Sequence, residues 1–147
     1  MTTKADFTEQ EWELILEGPP SAGMIVITAQ RGGMLRESVS MAKAYVEARQ
    51  QHGQSELLDE IVAVKPKLDH TRYHSFEELE QHSLGHLRDA VALLESKAAP
   101  EEVAQYKRFV TDLADKVAHA HREHGGGADG VSDAERAATA AIAQALG

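Results

Sequence analysis

Between Pro100 and Val117 the apolar residues Val103, Tyr106, Phe109, Val110, Leu113 and Val117 recur at steps of three and four. That spacing places side chains on one stripe of an α-helix and suits nothing else as well. The period returns in Phe76, Leu79, Leu84, Leu87, Val91 and Leu94, and in Trp12, Ile15 and Leu16. No segment alternates with period two, and a strand needs partners, so even the β-branched run Ile25-Val26-Ile27-Thr28 reads as a buried central helix. The expected fold class is all-α: a compact single-domain bundle of about seven helices, with residues 1–147 forming one helical domain.

Punctuation sets the expected boundaries. Thr8 and Glu11, three residues apart, match a capping box and start the first helix. Gly18-Pro19-Pro20 is expected to end it, because proline has no amide hydrogen and crowds the preceding turn. A second helix then covers about Ser21 to Ala29. Gly32-Gly33 turns the chain into a third, with Leu35, Val39, Ala42, Tyr45 and Val46 as its inner stripe and an end near His52-Gly53. Ser55 caps a fourth carrying Leu57, Leu58, Ile61 and Val62, and Pro66 lies in the connection after it. Ser75 with Glu78 begins a fifth. Pro100 opens a sixth, where Glu101 and Glu102 complement the helix dipole. Gly125-Gly126-Gly127 stops that helix, and Ser132 with Glu135 caps a seventh whose inner face is Ala138, Ala141, Ile142 and Ala145.

Composition narrows the chemistry. The chain has no cysteine, which closes disulfides, thiolate metal sites and thiol nucleophiles. Lys plus Arg number 15 against 24 Asp plus Glu, a formal charge of −9. That balance opposes binding to a phosphate backbone, which needs clustered cations, so nucleic acid is not an expected partner. Divalent cations or basic protein surfaces suit it better. The start Met1-Thr2-Thr3-Lys4-Ala5-Asp6 has no apolar secretory core, and the apolar stretch at Met24–Ile27 is far too short for a bilayer interior of about 30 Å. A cytoplasmic protein without membrane insertion is expected.

Two constellations bear on function. In Ala128-Asp129-Gly130-Val131-Ser132-Asp133-Ala134-Glu135 a turn delivers acidic side chains to a helix start. Oxygen ligands placed in this way suit Ca²⁺ or Mg²⁺ better than Zn²⁺, which makes Asp129, Asp133 and Glu135 the candidate metal ligands. The pattern departs from an EF-hand loop, which repeats acids before its glycine. The same residues also serve as a plain helix start, with Gly130 turning, Ser132 capping and the acids offsetting the dipole. Gly32 and Glu37 have the separation of Gly130 and Glu135, but Arg31 stands where the acid would be, so that first turn would bind a cation poorly.

The second constellation is the set of eight histidines, among them His70, His74, His82, His86, His119, His121 and His124. His82 and His86 share a helix face, yet neither Glu-x-x-His nor His-Glu-x-x-His occurs. His119 points away from the stripe that His121 and His124 approach, so the three do not converge. Phosphate-binding glycine loops, nucleophile elbows and dinucleotide fingerprints are also missing from the sequence. The chain is not expected to be an enzyme.

The order of these segments, from Phe7-Thr8 and Trp12 through Gly18-Pro19-Pro20, the Gly32-Gly33 turn with Glu37, and the terminal Asp129-Gly130-Val131-Ser132-Asp133-Ala134-Glu135, resembles the tellurite-resistance TerB-like helical domains. The resemblance implies a bundle of about seven helices built from two related halves, in a bacterial stress or defence setting, with divalent-cation binding in some members. By position it assigns Asp129 and Glu135 as ligands, with Asp133 beside them. The leading expectation is therefore a non-enzymatic module with a divalent cation. The alternatives are a metal-free protein-interaction module, including a homodimer formed through leftover apolar face on the fifth helix, and a His-ligated metal enzyme.

Overall fold

A computed structural model describes residues 3–29, 34–51, 56–64, 75–120 and 133–147. Within those residues the chain forms a short 3-10 turn at Lys4–Asp6 and six α-helices. They are α1 (Glu9–Ala29), α2 (Met34–Gln50), α3 (Glu56–Ala63), α4 (Phe76–Lys97), α5 (Pro100–Ala120) and α6 (Asp133–Leu146). No strand occurs among the described residues, and Ile25-Val26-Ile27-Thr28 lies inside α1.

The central helix is α1, which packs chiefly on α4 and also on α5, α6 and α2. Its second half is apolar on almost every side, and Ala22 through Ile27 are all buried. A helix without a polar face has to be surrounded. The stripe read on α5 is realised in full: Val103, Tyr106, Phe109, Val110, Leu113 and Val117 are all core residues. In α6, Ala138, Ile142 and Ala145 are buried as expected, Ala141 is half-buried, and Leu146 joins the core.

Several starts follow their sequence signals. The Thr8 amide donates to Glu11 Oε1 at 2.8 Å, and the Glu11 amide donates to Thr8 Oγ1 at 3.1 Å, completing the capping box. Phe7 meets Trp12 across the cap with ring centroids 6.1 Å apart, a hydrophobic staple that fixes how the chain enters the helix. Ser75 Oγ accepts the Glu78 amide at 3.1 Å. Pro100 is the first residue of α5. Buried Glu102 reaches back to accept the Ala99 amide at 3.1 Å, so it caps the helix rather than only offsetting the dipole. Ser55 and Ser132, and the glycine turns at 32–33 and 125–127, lie outside the described residues.

The expected break at Gly18-Pro19-Pro20 is absent. One helix runs from Glu9 to Ala29 with both prolines inside it, so two of the expected helices are one. The physical reason lies on α5. In an unbroken helix the Ile15 carbonyl accepts the amide of residue 19, which in proline has no hydrogen. Here the Tyr106 hydroxyl donates to that carbonyl instead, at 2.8 Å. Gly18 makes the approach feasible, since a Cβ there would lie 2.0 Å from Tyr106 Oη.

The phase of α2 also differs from the reading. Met41, Ala44 and Tyr45 are buried, whereas Ala42 and Val46 are exposed. Met41 packs against Gly23 on α1, where a Cβ would come 2.1 Å from Met41 Cε. The missing side chain opens a notch that Met41 fills, and an unbranched thioether suits an irregular gap.

Candidate functional site

The acidic turn selected from sequence falls at the entrance to α6. Asp133 is the first residue of that helix and Glu135 the third, so their backbones are placed in its first turn. Asp129, and the side chains of Asp133 and Glu135, lie outside the described residues. The described part of α6 is firmly seated. It packs on α4, α1 and α5, and Ile142 is 1% exposed. The connection containing Asp129 therefore joins two helices that belong to one core.

The histidines divide. His82 is exposed on α4, while His86, one turn later, is half-buried with Nδ1 3.6 Å from Glu17 Oε2 of α1. That contact becomes an ion pair when the imidazole is protonated. His52, His70, His74, His121, His124 and the side chain of His119 lie outside the described residues. Among the described residues, no three His, Asp or Glu side chains are grouped to hold a metal ion.

A cleft of about 60 Å³ opens between α2 and α5, floored by Ala44, Phe109 and Leu113 and rimmed by Glu47, Asp112 and Lys116. It has room for about two waters, well short of the several hundred Å³ of a typical small-molecule site. Lys116 pairs with Glu47 across its mouth.

The surface of α1 is more distinctive. Glu9, Glu13 and Glu17 are exposed at successive steps of four, forming one stripe of carboxylates along its first half. Glu11, off that stripe, pairs with Lys97 at 2.8 Å. This ammonium group and the Thr8 amide hold the Glu11 carboxyl below its ordinary value near 4.5. Lys97 also reaches the Asp6 carbonyl at 3.4 Å and lies 5.6 Å from the Phe7 ring centroid. The Lys4 amide donates to Glu60 of α3 at 2.6 Å. The segment before α1 is thus tied to α3 and to the end of α4.

Leu79, Leu87, Val91 and Leu94 are buried in the core and Leu84 is half-buried. Large apolar side chains that remain exposed among the described residues are Val46 and Val64. No described helix is long and apolar enough to cross a membrane.

Fold and surface define an all-α helical bundle with a filled core. Comparisons with protein-family models, with curated proteins and with solved structures find no match.

Proposed function

We propose that the protein is a non-enzymatic helical module that takes a divalent cation, Ca²⁺ or Mg²⁺, at the turn carrying Asp129, Asp133 and Glu135. The observation that carries this reading is the position of the turn: it runs directly into α6, and α6 is docked on three other helices. A cation held by Asp129 before the helix and by Glu135 in its first turn would fix the start of α6. It would also neutralise charge in a chain of net charge −9. Hard oxygen ligands match those ions. The TerB-like resemblance adds a seven-helix relative built from two halves and a bacterial stress or defence setting, and a cytoplasmic location agrees with both.

The test is a thermal melt of chelator-treated protein with Ca²⁺, Mg²⁺ or Zn²⁺ added, repeated on Asp129→Ala and Glu135→Ala. A ligand that binds the folded state alone raises the melting temperature, by about 2.7 kcal/mol of stability at a hundred times its dissociation constant. A rise that both variants lose supports the site. No rise with any ion, or an undiminished rise in both variants, rejects it.

The exposed stripe Glu9, Glu13 and Glu17 favours a second reading, a metal-free module that docks a basic protein surface. Charge complementarity of that kind acts mainly on association rate and weakens with salt. Association that is unaffected by salt and survives Glu13→Lys would refute it.

A further inference from the structure

The first half of α1 differs from the second in three ways. Its helical hydrogen bonding is interrupted at Pro19 and Pro20, which supply no amide hydrogen to Ile15 and Leu16. Its exposed stripe Glu9, Glu13 and Glu17 sets like charges four residues apart, an arrangement that weakens a helix. It is held to the bundle by the Tyr106 hydroxyl on Ile15, Lys97 on Glu11 and Asp6, His86 beside Glu17, the Lys4 amide on Glu60 of α3, and the apolar contacts of Phe7, Trp12 and Ile15. The second half, by contrast, has six consecutive buried residues, Ala22 through Ile27.

From this geometry we infer that Gly18-Pro19-Pro20 is a hinge and that the Tyr106 hydroxyl is its latch: released, the segment from Lys4 to Glu17 swings away from α3, α4 and α5 as a unit while the rest of α1 stays in the core. Gly18 lacks a side chain where the backbone must turn, and the prolines remove two of the backbone bonds that would resist bending. Tyr106 is 1% exposed, and burial, reinforced by the neighbouring Tyr45, holds its phenol proton well above the usual range. The shift favours the protonated phenol, the form that donates to Ile15. Opening would bare Trp12, Ile15 and Phe7 together with the grooves they fill. None of these residues belongs to the turn at Asp129–Glu135, so the hinge stands or falls independently of the cation reading.

Trp12 is the single tryptophan of the chain, so its fluorescence reports the moving half directly. Tyr106→Phe leaves the Ile15 carbonyl without its donor. Amide exchange from Trp12 to Gly18 should then accelerate about tenfold or more, the scale of one buried hydrogen bond. Exchange at Met24–Ile27 should change far less, and acrylamide should quench Trp12 more strongly. Adding Pro19→Ala to that variant restores an amide hydrogen four residues after Ile15 and should return both signals towards the parent. Equal acceleration in both halves of α1, or failure of Pro19→Ala to rescue, overturns the hinge. Should Tyr106→Phe fail to fold, Pro19→Ala alone decides the matter. It should slow exchange from Trp12 to Gly18, and unchanged or faster exchange refutes the proposal.

Discussion

Replacing Gly18 by alanine sets helix propensity against packing. In an open helix interior the change stabilises by about 1 kcal/mol, because glycine loses more backbone freedom on folding. At position 18 the new Cβ would stand 2.0 Å from Tyr106 Oη and 3.2 Å from Cζ. The ring is rigid and buried, so relief requires moving α5 or displacing the hydroxyl. Overpacking of this kind costs about 1–3 kcal/mol, and stranding the Ile15 carbonyl adds about 1–3 kcal/mol. The net expectation is destabilisation by about 1–5 kcal/mol once the propensity gain is subtracted. Two other helix glycines act as internal controls. At Gly23 the clash is with Met41 Cε at 2.1 Å and Leu113 Cδ2 at 3.2 Å. The thioether end can rotate away, so Gly23→Ala should remain within about 1 kcal/mol of the parent. At Gly85 nothing lies within 4 Å, and Gly85→Ala should stabilise by about 0.5–1 kcal/mol. Urea melts with unchanged slope give the three differences as midpoint shifts. A Gly18→Ala protein as stable as the parent, or less destabilised than Gly23→Ala, would refute the account of Tyr106 and Ile15.

Two further outcomes are expected. Because Lys97 and the Thr8 amide hold the Glu11 carboxyl below its usual value, its contribution to stability is fully present above about pH 4.5 and is lost as the pH falls through the lower folded value. Glu11→Gln retains the cap to Thr8 but not the charge, so the gap in melting temperature between the two proteins should close in acid; a gap that is constant with pH would refute the pairing. Ser75→Ala removes the oxygen that accepts the Glu78 amide and should cost about 1 kcal/mol in a denaturant melt, whereas a change under a few tenths would show that the start of α4 is held by packing alone.

Signals that act within one turn of helix were legible in the sequence. Thr8 with Glu11, Ser75 before Glu78 and Pro100 at the first position of α5 each depend on neighbours three or four residues away. So does the apolar stripe of α5. The continuity of the helix through Gly18-Pro19-Pro20 is not legible locally, because it depends on a hydroxyl 91 residues further along the chain. Local propensity assigns two helices there, and one tertiary hydrogen bond joins them. The phase of α2 escaped for a similar reason: Met41, not Ala42, packs into the notch that Gly23 leaves in another helix. The acidic segment is singled out by residue type and spacing, and Asp129 with the side chains of Asp133 and Glu135 lies outside the described residues. Glu102 was read by its charge, while its role as a cap required knowing that it folds back towards Ala99.

The bond between Ile15 and Tyr106 also bears on how the chain is made. During synthesis the residues of α1 emerge long before Tyr106, so the Ile15 carbonyl has no partner from the bundle and the two stretches on either side of Gly18-Pro19-Pro20 are each shorter than an independently stable helix. Until α5 is present, nothing in the bundle replaces the amide hydrogen that Pro19 lacks at the Ile15 carbonyl. The central helix of the bundle, translated before α5, thus depends on α5 for the donor to its Ile15 carbonyl.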